Sequence, residues 1–247
     1  MLYKPRRKTR YKMAIAGFCL VAMFLGMTGT VIAQSDLYSI ARGGRLYDKW
    51  FAEIEDGEAP QTAHPNYPEA GEYKGKKAAD WRCKECHGWD YLGNQGAYAS
   101  GKHFTGIKGI AGMAGADPAK IVAVMKDATH ALAQSGLTDE DYHDLAMFVS
   151  RGQASSESFI DSKSKAVTGD TGVGQGYYET VCAKCHGLDG KLDDQMPPLG
   201  KLSNDNPWEV LHKVRFGQPN EEMPALISFG SQVAVDLLAY LQSLPQE

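Results

Sequence analysis

The chain shows apolar residues at helical spacing in two stretches, each near the end of one half of the sequence. The pattern predicts a helix over residues 139–150 and a last helix over residues 231–243. The two apolar stripes consist of Tyr142, Leu145, Ala146 and Val149, and of Val233, Leu237, Leu238 and Leu241. Runs that alternate with a period of two are missing from both halves, so we expect an all-α fold with little strand.

Three short sequences predict where helices begin. Asp117-Pro118 and Asn206-Pro207 each supply a capping side chain followed by a proline with a preset φ angle. Thr138 precedes acidic residues that suit the first turn of a helix. Between the halves, residues 152–173 are rich in Ser, Gly, Lys and Asp. They predict a linker whose few apolar residues lie on a surface.

The N-terminal 33 residues predict a secretory signal peptide. Residues 1–12 hold six Lys and Arg and no acid, and residues 13–33 hold no charged residue. A small residue, Ala33, precedes Gln34, as a cleavage site requires. Because the uncharged run is also long enough to span a bilayer, an uncleaved anchor is the alternative. In either case we expect the folded body to lie outside the cytoplasm.

Two short sequences repeat the pattern Cys-x-x-Cys-His, and they use four of the five cysteines; the fifth, Cys19, lies in the leader. This pattern is the attachment signature of a c-type haem. The spacing lets the two thiols bond to the two vinyl sides of one porphyrin and carries the histidine under the iron. We therefore predict two covalently bound haems. The residues that bind them are Cys83, Cys86 and His87 in the first motif, and Cys182, Cys185 and His186 in the second.

A Cys-x-x-Cys pair alone would also fit a thioredoxin-like redox site or half of a zinc site. The redox pair needs a βαβ context, which neither copy has. A zinc site made from both copies would leave two histidines unused. Repetition of the histidine therefore favours haem. Haem attachment is completed in the bacterial periplasm, which agrees with the predicted leader.

The charge of the chain bears on its partners. The whole chain carries 26 Lys and Arg against 30 Asp and Glu, and without the six basic residues of the leader the balance is 20 against 30. A body this acidic does not bind nucleic acid. We expect redox partner proteins with a basic docking face, although plain solubility explains the charge equally well. A membrane is expected as a partner only if the leader is retained.

Each half resembles a class I c-type cytochrome domain. Such a domain has an N-terminal helix with Gly-x-x-Tyr, the Cys-x-x-Cys-His motif, a middle helix, a distal ligand loop and a C-terminal helix. The tandem resembles the dihaem cytochromes built from two fused class I domains, over most of residues 41–244. Together with the leader at 1–33 and the linker at 152–173, the resemblance predicts a first domain at 34–151 and a second domain at 174–247.

The first half departs from this pattern by an insert. Residues 52–80 separate its N-terminal helix from its motif, whereas only a few residues do so in the second half. The prolines and glycines of the insert predict an irregular lobe. We expect the exposure of the first haem to differ from that of the family, and a docking surface for a partner to lie on the insert.

An electron-carrying haem iron takes a second strong axial ligand, usually Met or His. In the second half, Met223 stands before Pro224 in the loop that precedes the last helix. The resemblance implies a distal ligand at this position. Met196 also precedes a proline, but it lies closer to the motif and is the weaker candidate.

The first half has no Met-Pro pair. Alignment of the helices that begin at Pro118 and Pro207 places His130 near the position of Met223, so His130 is the predicted distal ligand of the first haem. An exposed loop histidine is the alternative interpretation. The other candidates for this ligand are Met147, Met113 and His103, while His64, His143 and His212 are predicted to lie on the surface.

Taken together, these residues predict a periplasmic dihaem electron carrier. Met ligation raises the haem potential relative to His, so the first haem is expected to be the lower in potential and to receive the electrons. The nearest alternative is the haem-bearing subunit of a dehydrogenase, for instance one that oxidises reduced sulfur compounds. The third is a small haem enzyme with an open first iron, whose pocket would be lined by Tyr91, Tyr98, His103 and Phe104.

Overall fold

The computed structural model describes residues 36–69 and 71–247. The predicted signal peptide, residues 1–33, lies outside the described residues. The chain divides into a unit of residues 1–38 and a compact unit of residues 39–247, and the sites below all lie in the second unit. Among the described residues, no helix combines the length and the hydropathy that a membrane span requires.

The described residues form helices joined by loops, and their only β-bridges are two isolated ones, Gly93 with Lys108 and Ile160 with Val167. The predicted all-α class is therefore confirmed for this part of the chain. The helices are α1 (residues 36–53), α2 (Cys83–His87), α3 (Pro118–Met125), α4 (Asp139–Met147), α5 (Thr171–Tyr177), α6 (Ala183–His186), α7 (Leu199–Asp205), α8 (Pro207–Phe216) and α9 (Ser231–Gln242).

The predicted helix starts are confirmed. The side chains of Asp117 and Asn206 cap α3 and α8, each ahead of a proline in the first turn. Thr138 and Asp141 form a reciprocal capping box at the start of α4. α4 ends earlier than predicted and continues as a π-helical turn over Phe148–Gly152.

The apolar stripes of α4 and α9 are buried in two separate core clusters, except that Val233 is only partly buried. The clusters follow the two halves of the sequence, but each also takes residues from the other half. Phe216 of α8 belongs to the first cluster, and Trp89 and Tyr98 belong to the second. The division into two domains therefore stays a prediction.

In both halves, the first and last helices cross at a glycine. Gly43 of α1 lies against the backbone oxygen of Asp144 in α4, and Gly174 of α5 lies against that of Asp236 in α9. At either position a Cβ would overlap the carbonyl oxygen. The absence of a side chain therefore sets the close approach of α1 to α4 and of α5 to α9.

The connection from the first helix to the motif differs between the halves. α1 covers residues 52 and 53 of the predicted insert, and no helix or strand occurs over residues 54–69 and 71–78. A 3₁₀ turn over Ala79–Trp81 leads from the insert into α2. In the second half a π-helical turn, Tyr178–Cys182, joins α5 directly to α6.

Candidate functional site

Each Cys-x-x-Cys-His motif ends in a short helix that is followed by a glycine, and Cys182 lies in the π-helical turn just before α6. Gly88 after α2 has φ 80° and Gly187 after α6 has φ 76°, a region that favours glycine. The hydroxyl of Tyr47 in α1 donates to the Gly88 oxygen at 2.6 Å. The hydroxyl of Tyr178 donates to the Gly187 oxygen at the same distance. The two halves thus hold their motifs with the same contact.

His87, the predicted proximal ligand of the first haem, is oriented by the backbone. Its Nδ1–H donates to the carbonyl oxygen of Lys108 at 2.8 Å, which directs Nε2 away from this partner. Burial lowers the pKa of His87 to about 4. The ring is therefore neutral at physiological pH, and a neutral imidazole is the form that ligates a metal.

His130, the predicted distal ligand, lies near His87. The centres of the two rings are 6.3 Å apart. His130 donates from Nδ1 to the carbonyl oxygen of Val124 at 2.9 Å. Neither Nε2 atom has a hydrogen-bond partner among the described residues. A metal–imidazole bond is about 2 Å long, so two imidazoles on opposite sides of one metal have ring centres about 6 Å apart.

The second motif contains an unpaired polar atom. Nδ1 of His186 is buried and has no hydrogen-bond partner among the described residues. Burial lowers the pKa of this histidine too. A buried unpaired polar group costs free energy. Met223 and Cys182 both pack against the second core cluster, which brings the predicted distal residue and the motif to the same core.

None of the four motif cysteines forms a disulfide. Burial raises the pKa of Cys83 and Cys86 to about 12 and that of Cys182 to about 11. Thiols with such values are almost entirely protonated, whereas redox and metal-binding cysteines react as thiolates. The free thiols, the anchored His87 and the position of His130 fit a c-type haem at the first motif, and the free thiols and His186 fit one at the second.

The three other candidates for the first distal ligand have different surroundings. Met147 is buried in the first core cluster, and Met113 packs against that cluster. His103 pairs through Nδ1 with Glu85 at 3.0 Å and stacks between the rings of Tyr73 and Tyr98.

One of the surface histidines was predicted wrongly. His212 is only 1 % exposed. Its Nε2–H donates to the carbonyl oxygen of Gly44, and its Nδ1 accepts from the hydroxyl of Tyr91, both at 2.8 Å. Burial lowers its pKa to about 3. His143 is exposed, as predicted, and His64 is half-buried in the insert.

A buried carboxylate beside the first motif was missed by the sequence analysis. Asp48 of α1 is 1 % exposed and pairs with Arg82, which directly precedes α2. It also pairs with Lys213 of α8 at 2.8 Å. Burial raises the pKa of Asp48, but Lys213 and Arg82 outweigh burial and hold it at about 2. No local sequence pattern marks this site, because its three members come from distant segments.

The family described as Cytochrome C oxidase, cbb3-type, subunit III matches residues 169–241. This range runs from the start of α5 into α9 and includes the second motif and Met223. The match supports a c-type cytochrome with a c-type haem and a role in electron transfer. No curated protein matches the chain.

Proposed function

We propose that the protein is a dihaem c-type cytochrome that carries single electrons between redox partners in the periplasm. The observation that carries the proposal is the pair of motifs, each closed by a glycine whose carbonyl accepts from a tyrosine hydroxyl. The family match covers the second motif, and the shared geometry extends the proposal to the first. Each haem, when bound, supplies a one-electron Fe(III)/Fe(II) couple.

In this proposal each haem iron, when bound, would be held by two side chains of the protein. The 6.3 Å separation of the His87 and His130 rings supports this for the first site, and the shared core position of Met223 supports it for the second. Side chains on both faces leave no position for a substrate, which favours electron transfer over bond chemistry. The cysteines are the covalent attachment points, His87 and His186 the proximal ligands, and His130 and Met223 the distal ligands.

The two distal residues determine which haem has the lower redox potential. A His/His set lowers the haem potential relative to a His/Met set. Electrons would therefore enter at the first haem and leave from the second. The acidic body, with 20 basic against 30 acidic residues after the leader, supports redox partners with a basic docking face.

A second candidate function is the haem-bearing subunit of a larger enzyme, either an oxidase or a dehydrogenase. The description of the matched family, which names an oxidase subunit, favours this reading. The native mass of the secreted protein distinguishes the two, because a carrier migrates alone and a subunit migrates with its complex. The third reading, an enzyme with an open first iron, is disfavoured by the position of His130.

Mass spectrometry of the secreted protein tests the haem count. We expect the mass of the chain without its leader plus two haems. The double variants Cys83→Ala/Cys86→Ala and Cys182→Ala/Cys185→Ala should each lack one haem, because a haem without thioether bonds is lost on denaturation. A wild-type mass with a single haem, or two haems retained in the first double variant, would overturn the dihaem proposal.

A further inference from the structure

The insert between α1 and α2 carries hydrogen-bond donors to the loop that holds His130. The side-chain amide of Asn66 donates from Nδ2 to the backbone oxygens of Ala128 at 2.9 Å and Thr129 at 2.8 Å. Nε2 of His64 lies 2.9 Å from the backbone oxygen of His130. Two side chains of the insert therefore bind three consecutive carbonyl groups of this loop.

The tautomer of His64 allows its ring to donate to the backbone oxygen of His130. The backbone N–H of Asn66 donates to Nδ1 of His64 at 3.2 Å. A neutral imidazole that accepts at Nδ1 carries its proton on Nε2. Nε2–H is therefore the donor to His130, whose carbonyl oxygen can only accept.

His64 is itself fixed at the entrance to the first motif. Its backbone N–H donates to the carboxylate of Asp80 at 3.0 Å, and Asp80 is 2 % exposed. Its ring packs edge-on against Trp81 with 4.5 Å between ring centres. The carbonyl of Trp81 in turn accepts from the indole of Trp50 in α1 at 2.9 Å. The insert is thus anchored next to Cys83 and extends from there to the loop that holds His130.

Besides these bonds, the loop is held to α3 by the hydrogen bond from Nδ1 of His130 to the carbonyl oxygen of Val124 at 2.9 Å. Residues 127–129 are all exposed, so apolar packing contributes little to their position. Asp127 accepts from the backbone N–H of Thr129 at 2.8 Å, which shapes the turn without tying it to the body. The bonds from His64 and Asn66 connect this turn to the segment that enters α2.

We propose that His64 and Asn66 are positioning residues that hold the imidazole of His130 at the axial position of the first haem. This rests on His130 being a ligand, as in the proposed function. The insert then acts as a clamp between the two faces of the site, in addition to any docking role. Each hydrogen bond lost shifts the equilibrium between held and released His130 about fivefold.

Ligand binding to the full-length, haem-loaded protein tests the clamp. Asn66→Ala removes two bonds at an exposed position and should fold normally. His64→Phe keeps an aromatic ring against Trp81 but removes the donor to His130. Both should increase carbon monoxide binding to the reduced first haem by about 5- to 30-fold. Both should also shift the potential of the first haem and leave that of the second unchanged.

Two further variants make the result decisive. Gln61→Ala changes an exposed insert residue that donates only to Ala59, and it should bind carbon monoxide like the wild type. His130→Ala should open the first haem fully. If His130→Ala opens the first haem while Asn66→Ala and His64→Phe bind carbon monoxide like the wild type, the clamp proposal is wrong. His130 then remains the proposed distal ligand. If His130→Ala leaves both haems closed, His130 is not a ligand, and that part of the proposed function fails with the clamp.

Discussion

The two motifs share one backbone geometry but differ in their surroundings. In the first, the intervening residues Lys84 and Glu85 are 6 % and 2 % exposed, and Glu85 pairs with His103 at 3.0 Å. In the second, Lys184 and Cys185 are exposed, and Leu188 beyond the motif is 70 % exposed. A motif therefore specifies attachment, while the surrounding chain decides how enclosed the attached group is.

The two distal loops are also held differently. The loop of His130 is bound by the insert of its own half. The loop before Met223 is bound from the other half, because the backbone N–H of Asn220 donates to Glu53 of α1 at 3.2 Å. Arg45 fixes Glu53 through an ion pair of 2.8 Å. The N-terminal helix and its extension thus reach both sites, which links the two halves mechanically.

The largest effects on stability are expected at the two helix crossings, where the halves are alike. Gly43→Ala and Gly174→Ala should each lower the free energy of unfolding by roughly 3 kcal/mol, because the added methyl meets a backbone oxygen that cannot move aside. Denaturant unfolding measures this. The matched control is Gly176→Ala in α5, where no atom lies within 4 Å of the new Cβ, and a small gain in stability is expected. A cost at Gly176 equal to that at Gly174 would contradict the crossing as the cause.

An intermediate effect on stability is expected at Asp48, whose ion pairs connect the first motif, but not the second, to the other half. Its pKa in the folded protein is about 2, below the ordinary 3.8. A depressed carboxyl pKa stabilises the fold above about pH 4, and this contribution is lost as the pH falls toward 2. The difference corresponds to about 2 kcal/mol at neutral pH.

The variant Asp48→Asn should therefore lose about 2 kcal/mol at pH 7 and show a smaller loss of stability between pH 4 and pH 2 than the wild type. Unfolding curves at several pH values measure both. Glu55→Gln, at an exposed position of the insert, serves as the control. An unchanged pH dependence in Asp48→Asn would show that the ion pairs do not act as described.

The smallest effect on stability is expected at Tyr47 and Tyr178, and its size should differ between the two motifs. Tyr47→Phe should cost about 1.5 kcal/mol and Tyr178→Phe about 1 kcal/mol, since each leaves a carbonyl without its donor. The first cost is larger because Gly88 is buried, whereas Gly187 is half-buried and reaches water more readily. Denaturant unfolding of both variants measures the difference. Equal costs would mean that the burial of the carbonyl is unimportant here.

The sequence alone determined what depends on neighbouring residues. The Cys-x-x-Cys-His motifs, the capped starts at Asp117 and Asn206 and the apolar stripe of α4 could all be predicted. Each arises from residues within one or two helical turns, so a local pattern carries the whole signal. The position of His130 was predicted from an alignment of helices, and its role as a ligand stays a prediction.

Only the tertiary structure decided the polar contacts between distant segments. His212 looked like a surface residue, yet it is buried between Gly44 and Tyr91. The insert was predicted as an irregular lobe, and only the structure shows that its His64 donates to the backbone oxygen of His130. The burial of a polar side chain depends on a partner that can satisfy it, and that partner lies far away in the chain. Composition and spacing therefore show which chemistry the chain carries, and only folding shows which groups hold it in place.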